Sequence, residues 1–243
     1  MRLNNSQKTM LVLVLGALMH SLAFAKTTTT ASEPQHAQLP SAVIAEETRT
    51  LEANPNDAMA YYNRGTAYFQ KKDWDAAIHD LTASIALEPK APDAYYNRGL
   101  AYRRKKMVDE AITDFGKAIE LYPSQPSYYE SRSNALIVRG DFQGAVADAT
   151  KAIELVPDNA TAYFMRGLAY LLKGDMDRSI ADSSQAIQID SHYAEAWKLR
   201  GEAYLGKRSS DDAIHDFKKA IRLNPDFRDA LNAKIQEAEQ IKK

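Results

Sequence analysis

Apolar and small residues recur along most of the chain with the spacing of one face of an α-helix. A first segment carries them four and three positions apart, at Tyr61, Gly65 and Tyr68. A second segment repeats the spacing at Ala77, Leu81 and Ser84. The polar pair Lys72-Asp73 separates the two segments, and Pro89 follows the second, where it would end a helix. This pattern predicts a hairpin of two α-helices.

The hairpin pattern returns every 34 residues without insertion or deletion over residues 58–227. Three sets of equivalent positions show the period most clearly: the aromatic residues Tyr61, Tyr95, Tyr129, Tyr163 and Trp197; the arginines Arg64, Arg98, Arg132, Arg166 and Arg200; and the aspartates Asp80, Asp114, Asp148, Asp182 and Asp216. An internal repeat of this length predicts a linear array of equivalent units. The five units span residues 58–91, 92–125, 126–159, 160–193 and 194–227.

The order of aromatic, glycine, tyrosine, alanine and proline residues in each unit resembles the tetratricopeptide repeat family. The resemblance implies an all-α fold, a helical-hairpin solenoid that winds as a right-handed superhelix. Residues 41–57 resemble half of a further unit, and residues 228–243 read as a polar helix with Leu231, Ile235 and Ala238 on one side. Both end segments are expected to cap the core, because a repeat array otherwise exposes its terminal apolar faces.

Two features within the units are expected to be structural. The repeated glycine costs about 1 kcal/mol inside a helix, so close approach of the paired helix is its expected reason. Each arginine precedes an aspartate by 16 residues, and we expect the two to pair, because a partly buried charge needs a partner. A basic stripe for an acidic ligand is the alternative. The third unit has Ser133 for glycine, and the fourth has Ser179 and Ser183, so its second helix is expected to be the loosest.

The resemblance also implies where a partner would bind, because the first helices of this family line a concave groove. We define the candidate face as the second, fifth, ninth, twelfth and thirteenth residues of each unit, with the sixth residue beside it. Its expected contributors are the anchors Tyr62, Tyr96 and Phe164, the apolar residues Leu100 and Leu168, the amides Asn63 and Asn97, and the cations Arg103 and Arg104. The amides would bond a partner's backbone and the cations an acidic group. Packing against the next unit is the alternative for each apolar residue.

Composition argues against several classes of function. The formal net charge is -1, with 31 basic and 32 acidic residues, which gives no support for a nucleic-acid partner. The chain has no cysteine, which excludes disulfides and thiolate metal sites. The histidines are scattered, and no nucleophile motif or phosphate-binding glycine loop is present. We therefore expect no enzyme, no metal and no cofactor.

The first 25 residues have the three parts of a secretory signal. Arg2 and Lys8 precede the apolar run MLVLVLGALM, and Ala23-Phe24-Ala25 supplies a small-x-small cleavage site. Cleavage after Ala25 would make the protein periplasmic or secreted, without membrane association; an uncleaved anchor is the alternative. Residues 26–40 are expected to be a disordered leader, because they hold little that could be buried.

The expected function is that of an exported scaffold or adaptor that binds a peptide or helix of a partner protein. Assembly of envelope or secretion machinery is a setting that the family resemblance alone suggests. Two alternatives remain: a periplasmic holdase-type chaperone, and a homo-oligomer that associates through the apolar face of the fourth unit.

Overall fold

The computed structural model describes residues 33–242. They form twelve α-helices and a 3-10 turn at Pro225–Phe227, with no strand among the described residues. The helices are α1 Glu33–Ala53, α2 Ala58–Gln70, α3 Trp74–Leu87, α4 Pro92–Arg104, α5 Val108–Leu121, α6 Pro126–Arg139, α7 Phe142–Leu155, α8 Ala160–Lys173, α9 Met176–Ile189, α10 Ala194–Gly206, α11 Ser210–Leu223 and α12 Arg228–Ile241. The expected all-α arrangement of repeated hairpins is confirmed.

Local sequence determines where the helices begin. Side chains at five N-termini accept a hydrogen bond from the backbone amide three residues later: Asp57, Asp73, Asp141, Asn159 and Asp175. These bonds satisfy amides that have no partner within the helix. Pro92 and Pro126 begin α4 and α6, where a missing amide hydrogen costs nothing.

A residue with positive φ follows the first helix of each hairpin, one position after the helix in two repeats and two positions after it in three. Gly140 and Gly174 occupy this position at 87° and 85°. Lys72, Lys106 and Arg208 adopt φ values of 61° to 63° at the equivalent place. A side chain is disfavoured in this conformation, so these three repeats contain local strain that the two glycine repeats avoid.

The repeated glycine is required by close helix contact, as the sequence predicts. A Cβ atom on Gly99 would lie 2.8 Å from the ring of Phe115, and one on Gly65 would lie 2.9 Å from Leu81 Cγ. The third repeat has room for Ser133 because Ala149 stands where the first two repeats have Leu81 and Phe115. The buried Ser133 hydroxyl donates to the carbonyl oxygen of Ala145 at 2.9 Å.

The arginine–aspartate pairing is confirmed in all five repeats. Each guanidinium donates two hydrogen bonds to its aspartate, as in Arg98 Nε to Asp114 Oδ2 and Arg98 Nη2 to Asp114 Oδ1, both at 2.8 Å. Four of the arginines also donate Nη1 to a hydroxyl of the preceding hairpin: Thr48, Thr82, Thr150 and Ser184. The arginine therefore joins two hairpins as well as the two helices of one.

The described chain divides into two compact bodies after Ser124. The N-terminal body contains α1 to α5, with Leu81 and Phe115 fully buried. The C-terminal body contains α6 to α12, with Ile137, Leu168 and Phe217 in its core. In α12 the buried residues are Leu231, Ile235 and Ala238, which the sequence placed on one side of this helix.

The N-terminal helix is longer than the sequence suggests. It begins at Glu33, so the prediction of a disordered leader is wrong for residues 33–40, which continue the helix through Pro40. The predicted signal segment, residues 1–25, and the rest of the leader lie outside the described residues. No helix in the described part of the chain is long and apolar enough to cross a bilayer.

Candidate functional site

The candidate face of the N-terminal body is organised around Tyr62 on α2. Asn97, on α4, donates its side-chain amide to the Tyr62 hydroxyl at 3.0 Å and to Thr66 Oγ1 at 3.4 Å. Burial raises the pKa of the Tyr62 hydroxyl, and the negative charge of Asp93 adds to the effect. The phenol is therefore a neutral group, held in place by the first helix of the next repeat.

Asn63 is also occupied within the chain. Its amide donates to Glu47 Oε1, on α1, at 2.8 Å. The sequence suggested that Asn63 and Asn97 hold a partner's backbone. Both amides donate to side chains of an earlier helix within the N-terminal body, and their contact with a partner's backbone stays a prediction.

The remaining apolar residues of this face are only partly covered. Tyr96 lies against Phe115 with ring centroids 5.7 Å apart, and it remains half-buried, as does Leu100. Met59, near the start of α2, is 60% exposed. Exposed apolar side chains that adjoin one another on a folded protein commonly mark an interaction surface.

Two arginines occupy the C-terminal end of α4. Arg104 is exposed, whereas Arg103 is partly buried. Burial lowers the pKa of the Arg103 guanidinium, and the neighbouring positive charge of Arg104 lowers it further. The next residue, Lys105, has a different role, because its ammonium pairs with Asp75 of the preceding repeat.

The predicted anchors of the fourth repeat are not accessible. Phe164 is 6% exposed and Leu168 is 1% exposed, so their assignment to a partner-binding surface is wrong. The Phe164 ring lies against Tyr193 with centroids 5.1 Å apart, and Leu171 and Leu172 on the same helix are also buried. Helix α8 contacts both α6 and α10, which explains why its apolar residues are covered.

Polar side chains lie beside these buried residues of the fourth repeat. Asn159 donates its amide to Glu130 Oε1 at 2.5 Å, and burial raises the pKa of the Glu130 carboxyl. Burial also raises the pKa of Tyr193, as does the charge of Glu195. These groups are held within the C-terminal body, and no cluster of three or more metal-ligating side chains occurs among the described residues.

Sequence reasoning missed one set of contacts that bears on the candidate cations. The last residue of the first helix, or the residue after it, is basic in every repeat, at Lys71, Lys105, Arg139, Lys173 and Lys207. All four lysines bond a side chain 30 residues earlier: Ser41, Asp75, Gln143 and Asp177. The constant spacing was the available signal.

Four family models match the chain, each described as a tetratricopeptide or TPR repeat. They cover residues 48–79, 65–106, 92–125, 131–194 and 194–227. No curated protein sequence matches the chain at a significant level.

Solved structures of repeat proteins are similar to the chain. YrrB, described as a TPR protein with an unusual peptide-binding site, is 26% identical with a TM-score of 0.65; the match covers 77% of this chain and 97% of YrrB. A MamA protein is 26% identical with a TM-score of 0.63, over 71% of this chain and 94% of MamA. TTC0263, a TPR protein of Thermus thermophilus, is 21% identical with a TM-score of 0.58 and shares the fold over 76% of this chain and 100% of its own length.

Proposed function

Because this chain belongs to the tetratricopeptide repeat family, we propose that it is an exported adaptor that binds a peptide or helix of a partner protein on the candidate face of its N-terminal body. The observation that carries the proposal is the incomplete burial of Met59, Tyr62, Tyr96 and Leu100 on α2 and α4. The sequence-predicted signal segment supports export to the periplasm or the exterior. A similar protein, YrrB, has a peptide-binding site according to its description, which supports a peptide as ligand.

Tyr62 is suited to the role of anchor. A tyrosine buries a large area with few rotatable bonds, and aromatic residues are common among those that dominate binding energy. The hydrogen bond from Asn97 fixes the Tyr62 hydroxyl before a partner arrives. Such preorganisation lowers the entropic cost of association.

The charges along α4 suggest the chemistry of the partner. Asp93 lies in the first turn of this helix, and Arg103 and Arg104 lie in its last turn. Eleven residues of helix span about 16 Å. A segment with an acidic residue near the two arginines, an apolar centre and a basic residue about 16 Å away would complement this surface.

Capture from a cell-envelope extract, with identification by mass spectrometry, tests the proposal. The natural sequence should retain one dominant protein or a few, and a Tyr62→Ala/Tyr96→Ala variant should lose them. Tyr122→Ala is the matched control, because Tyr122 is 51% exposed at the end of α5 and outside the candidate face. Unchanged circular dichroism of all three proteins would show that the comparison concerns binding.

Retention of the same partner by the double variant would place the contact elsewhere and contradict the proposed site. A broad set of weakly held clients, without sequence preference, would contradict the adaptor function and favour a holdase.

A further inference from the structure

The two ends of the described chain present surfaces of opposite character. At the C-terminal end, a cleft of about 480 Å³ lies between α11 and α12. Its lining consists of Lys218, Ile221, Arg222, Arg228, Asn232 and Ile235. Three lining residues are cations, and none is acidic. Among the described residues, no acidic side chain pairs with Lys218, Arg222 or Arg228.

The repeat pattern shows that this cleft departs from the surfaces joining successive hairpins. Lys218 occupies the position held by Thr48, Thr82, Thr150 and Ser184, whose hydroxyls accept from the next arginine. The residue at the next arginine position is Lys234, which pairs with Glu202 at 3.2 Å. Lys218 thus puts a cation where the other hairpins have a hydroxyl acceptor, so the cleft is suited to an acidic occupant.

The glycine position changes as well. Ile235 stands where most of the hairpins have glycine, and its side chain is nearly buried beside Phe217 and Leu231. A further helix therefore cannot approach α12 as closely as α3 approaches α2. An occupant must lie further out, where its apolar side chains would enter the cleft beside Ile221.

Helix α1 has the complementary properties. Leu39 and Val43 are 61% and 37% exposed, the first of them the most exposed large apolar residue described. Glu46 follows three residues later on the same face; its side chain is 74% exposed and pairs with Arg49 of the same helix, 73% exposed, at 3.7 Å. Exposed Glu52 adds a second acid to this helix. Its exposed face is therefore apolar at one end and carries two acids and one arginine at the other, where the solvated Glu46–Arg49 pair is weak enough for Glu46 to exchange it for another cation.

We infer that this protein self-associates head to tail, with the exposed face of α1 of one copy docked in the basic cleft between α11 and α12 of the next. Leu39 and Val43 would cover Ile221 and the exposed edge of Ile235, and Glu46 and Glu52 would approach Arg222 and Arg228. The contact joins two different surfaces, so each added copy leaves both kinds of surface free at the ends of the assembly. One helix in one cleft is a small interface, and its ion pairs are screened by salt.

Sedimentation velocity over a range of protein concentrations tests the inference. The natural sequence should form a series of oligomers at about 100 µM in 50 mM salt, and the series should shorten in 500 mM salt, where the Debye length is only a few ångströms. Arg222→Glu/Arg228→Glu should abolish association, as should Leu39→Lys/Glu46→Lys. Lys90→Glu is the control, because Lys90 is exposed and distant in sequence from both surfaces.

Mixing the two defective variants gives the most specific result. Each retains the surface that the other lacks, so an equimolar mixture should form a dimer and nothing larger. A mixture that remains monomeric while the natural sequence assembles would overturn the inference, as would a natural sequence that is monomeric throughout. Arg222→Gln and Glu46→Gln serve as milder variants if circular dichroism shows that the double variants are unfolded. This result is independent of partner capture, since neither end surface includes Tyr62 or Tyr96.

Discussion

The fifth residue of each repeat has opposite fates in the two bodies. Tyr62 and Tyr96 of the N-terminal body remain half-buried, whereas Phe164 of the C-terminal body is 6% exposed. All three occupy the same position of a first helix. An equivalent place in a repeat therefore does not decide whether a side chain is available to a partner.

Neighbouring residues explain the difference. Tyr62 is followed by Asn63 and Thr66, whose polar groups bond adjacent helices at the sixth and ninth positions. Phe164 is followed by Met165 and Leu168, which are both buried. The apolar face of α8 packs against the helices beside it, because this packing removes its apolar surface from water. The interaction surface is thus expected on the body whose first helices mix aromatic and polar residues.

The largest expected effect comes from Phe164→Ala. Removing this buried ring should lower the free energy of unfolding by about 3–5 kcal/mol. The matched change Tyr96→Ala should cost less than about 2 kcal/mol, because that ring is only half-buried. Urea unfolding followed by circular dichroism gives both values. Equal costs for the two variants would remove the distinction between the bodies.

Arg98→Ala and Arg166→Ala should have similar effects, since the paired aspartates are equally satisfied in both bodies. Each change leaves a nearly buried carboxylate without its guanidinium, at a cost of about 3 kcal/mol. Thermal unfolding measures the loss, and Arg98→Ala/Asp114→Ala should recover part of it. An unchanged melting temperature together with lost partner binding would instead favour a ligand-binding stripe of arginines.

Ser179→Ala should stabilise the C-terminal body by about 1 kcal/mol. The Ser179 hydroxyl is buried and has no hydrogen-bond partner, and other repeats carry alanine at this position. Ser183→Ala is the control, because the Ser183 hydroxyl donates to the Ser179 carbonyl oxygen at 2.6 Å and gains nothing by removal. A loss of stability in Ser179→Ala, measured by chemical unfolding, would contradict the prediction that α9 is the weak point of this body.

Glu130→Gln should give the smallest effect, a gain below about 1 kcal/mol at pH 7. Burial raises the pKa of Glu130 in the folded protein, so this carboxyl lowers stability progressively as pH rises from its ordinary pKa through the raised one. Glutamine keeps an acceptor for Asn159 and removes the charge. As pH falls below the carboxyl's ordinary pKa of about 4.3, both states are protonated and the gain should vanish. A gain that is the same at pH 3.5 and pH 7, by thermal unfolding, would show that charge is not the cause.

The sequence predicted the internal contacts of a hairpin well, because each depends on residues at a fixed spacing. The Arg98–Asp114 pair and the close approach at Gly99 are both of this kind. The solvent exposure of a side chain could not be predicted from residue spacing within one hairpin. Whether Phe164 is covered depends on Tyr193 of the next repeat and on the helices that flank α8, and a single helical face does not show them.

Some side chains that bond a neighbouring hairpin were instead predicted to bind a ligand. Asn97 has the side chain expected of a backbone-binding residue, yet the Tyr62 hydroxyl lies within its reach 35 residues earlier. Lys105 belongs to a dense basic run, yet it pairs with Asp75. In a repeat array, a polar residue at a constant position therefore needs comparison with the preceding repeat before a ligand is assigned to it.

Hydroxyl-radical footprinting of the protein, alone and with its captured partner, tests the central claim most directly. We expect oxidation of Met59, Tyr62 and Tyr96 in the free protein and their protection in the complex, while Phe164 reacts little in either state. Exposed Tyr122 supplies the internal reference and should react equally in both. Strong oxidation of Phe164 in the free protein, with protection in the complex and none at Tyr62 or Tyr96, would place the interaction surface on the C-terminal body and contradict the account.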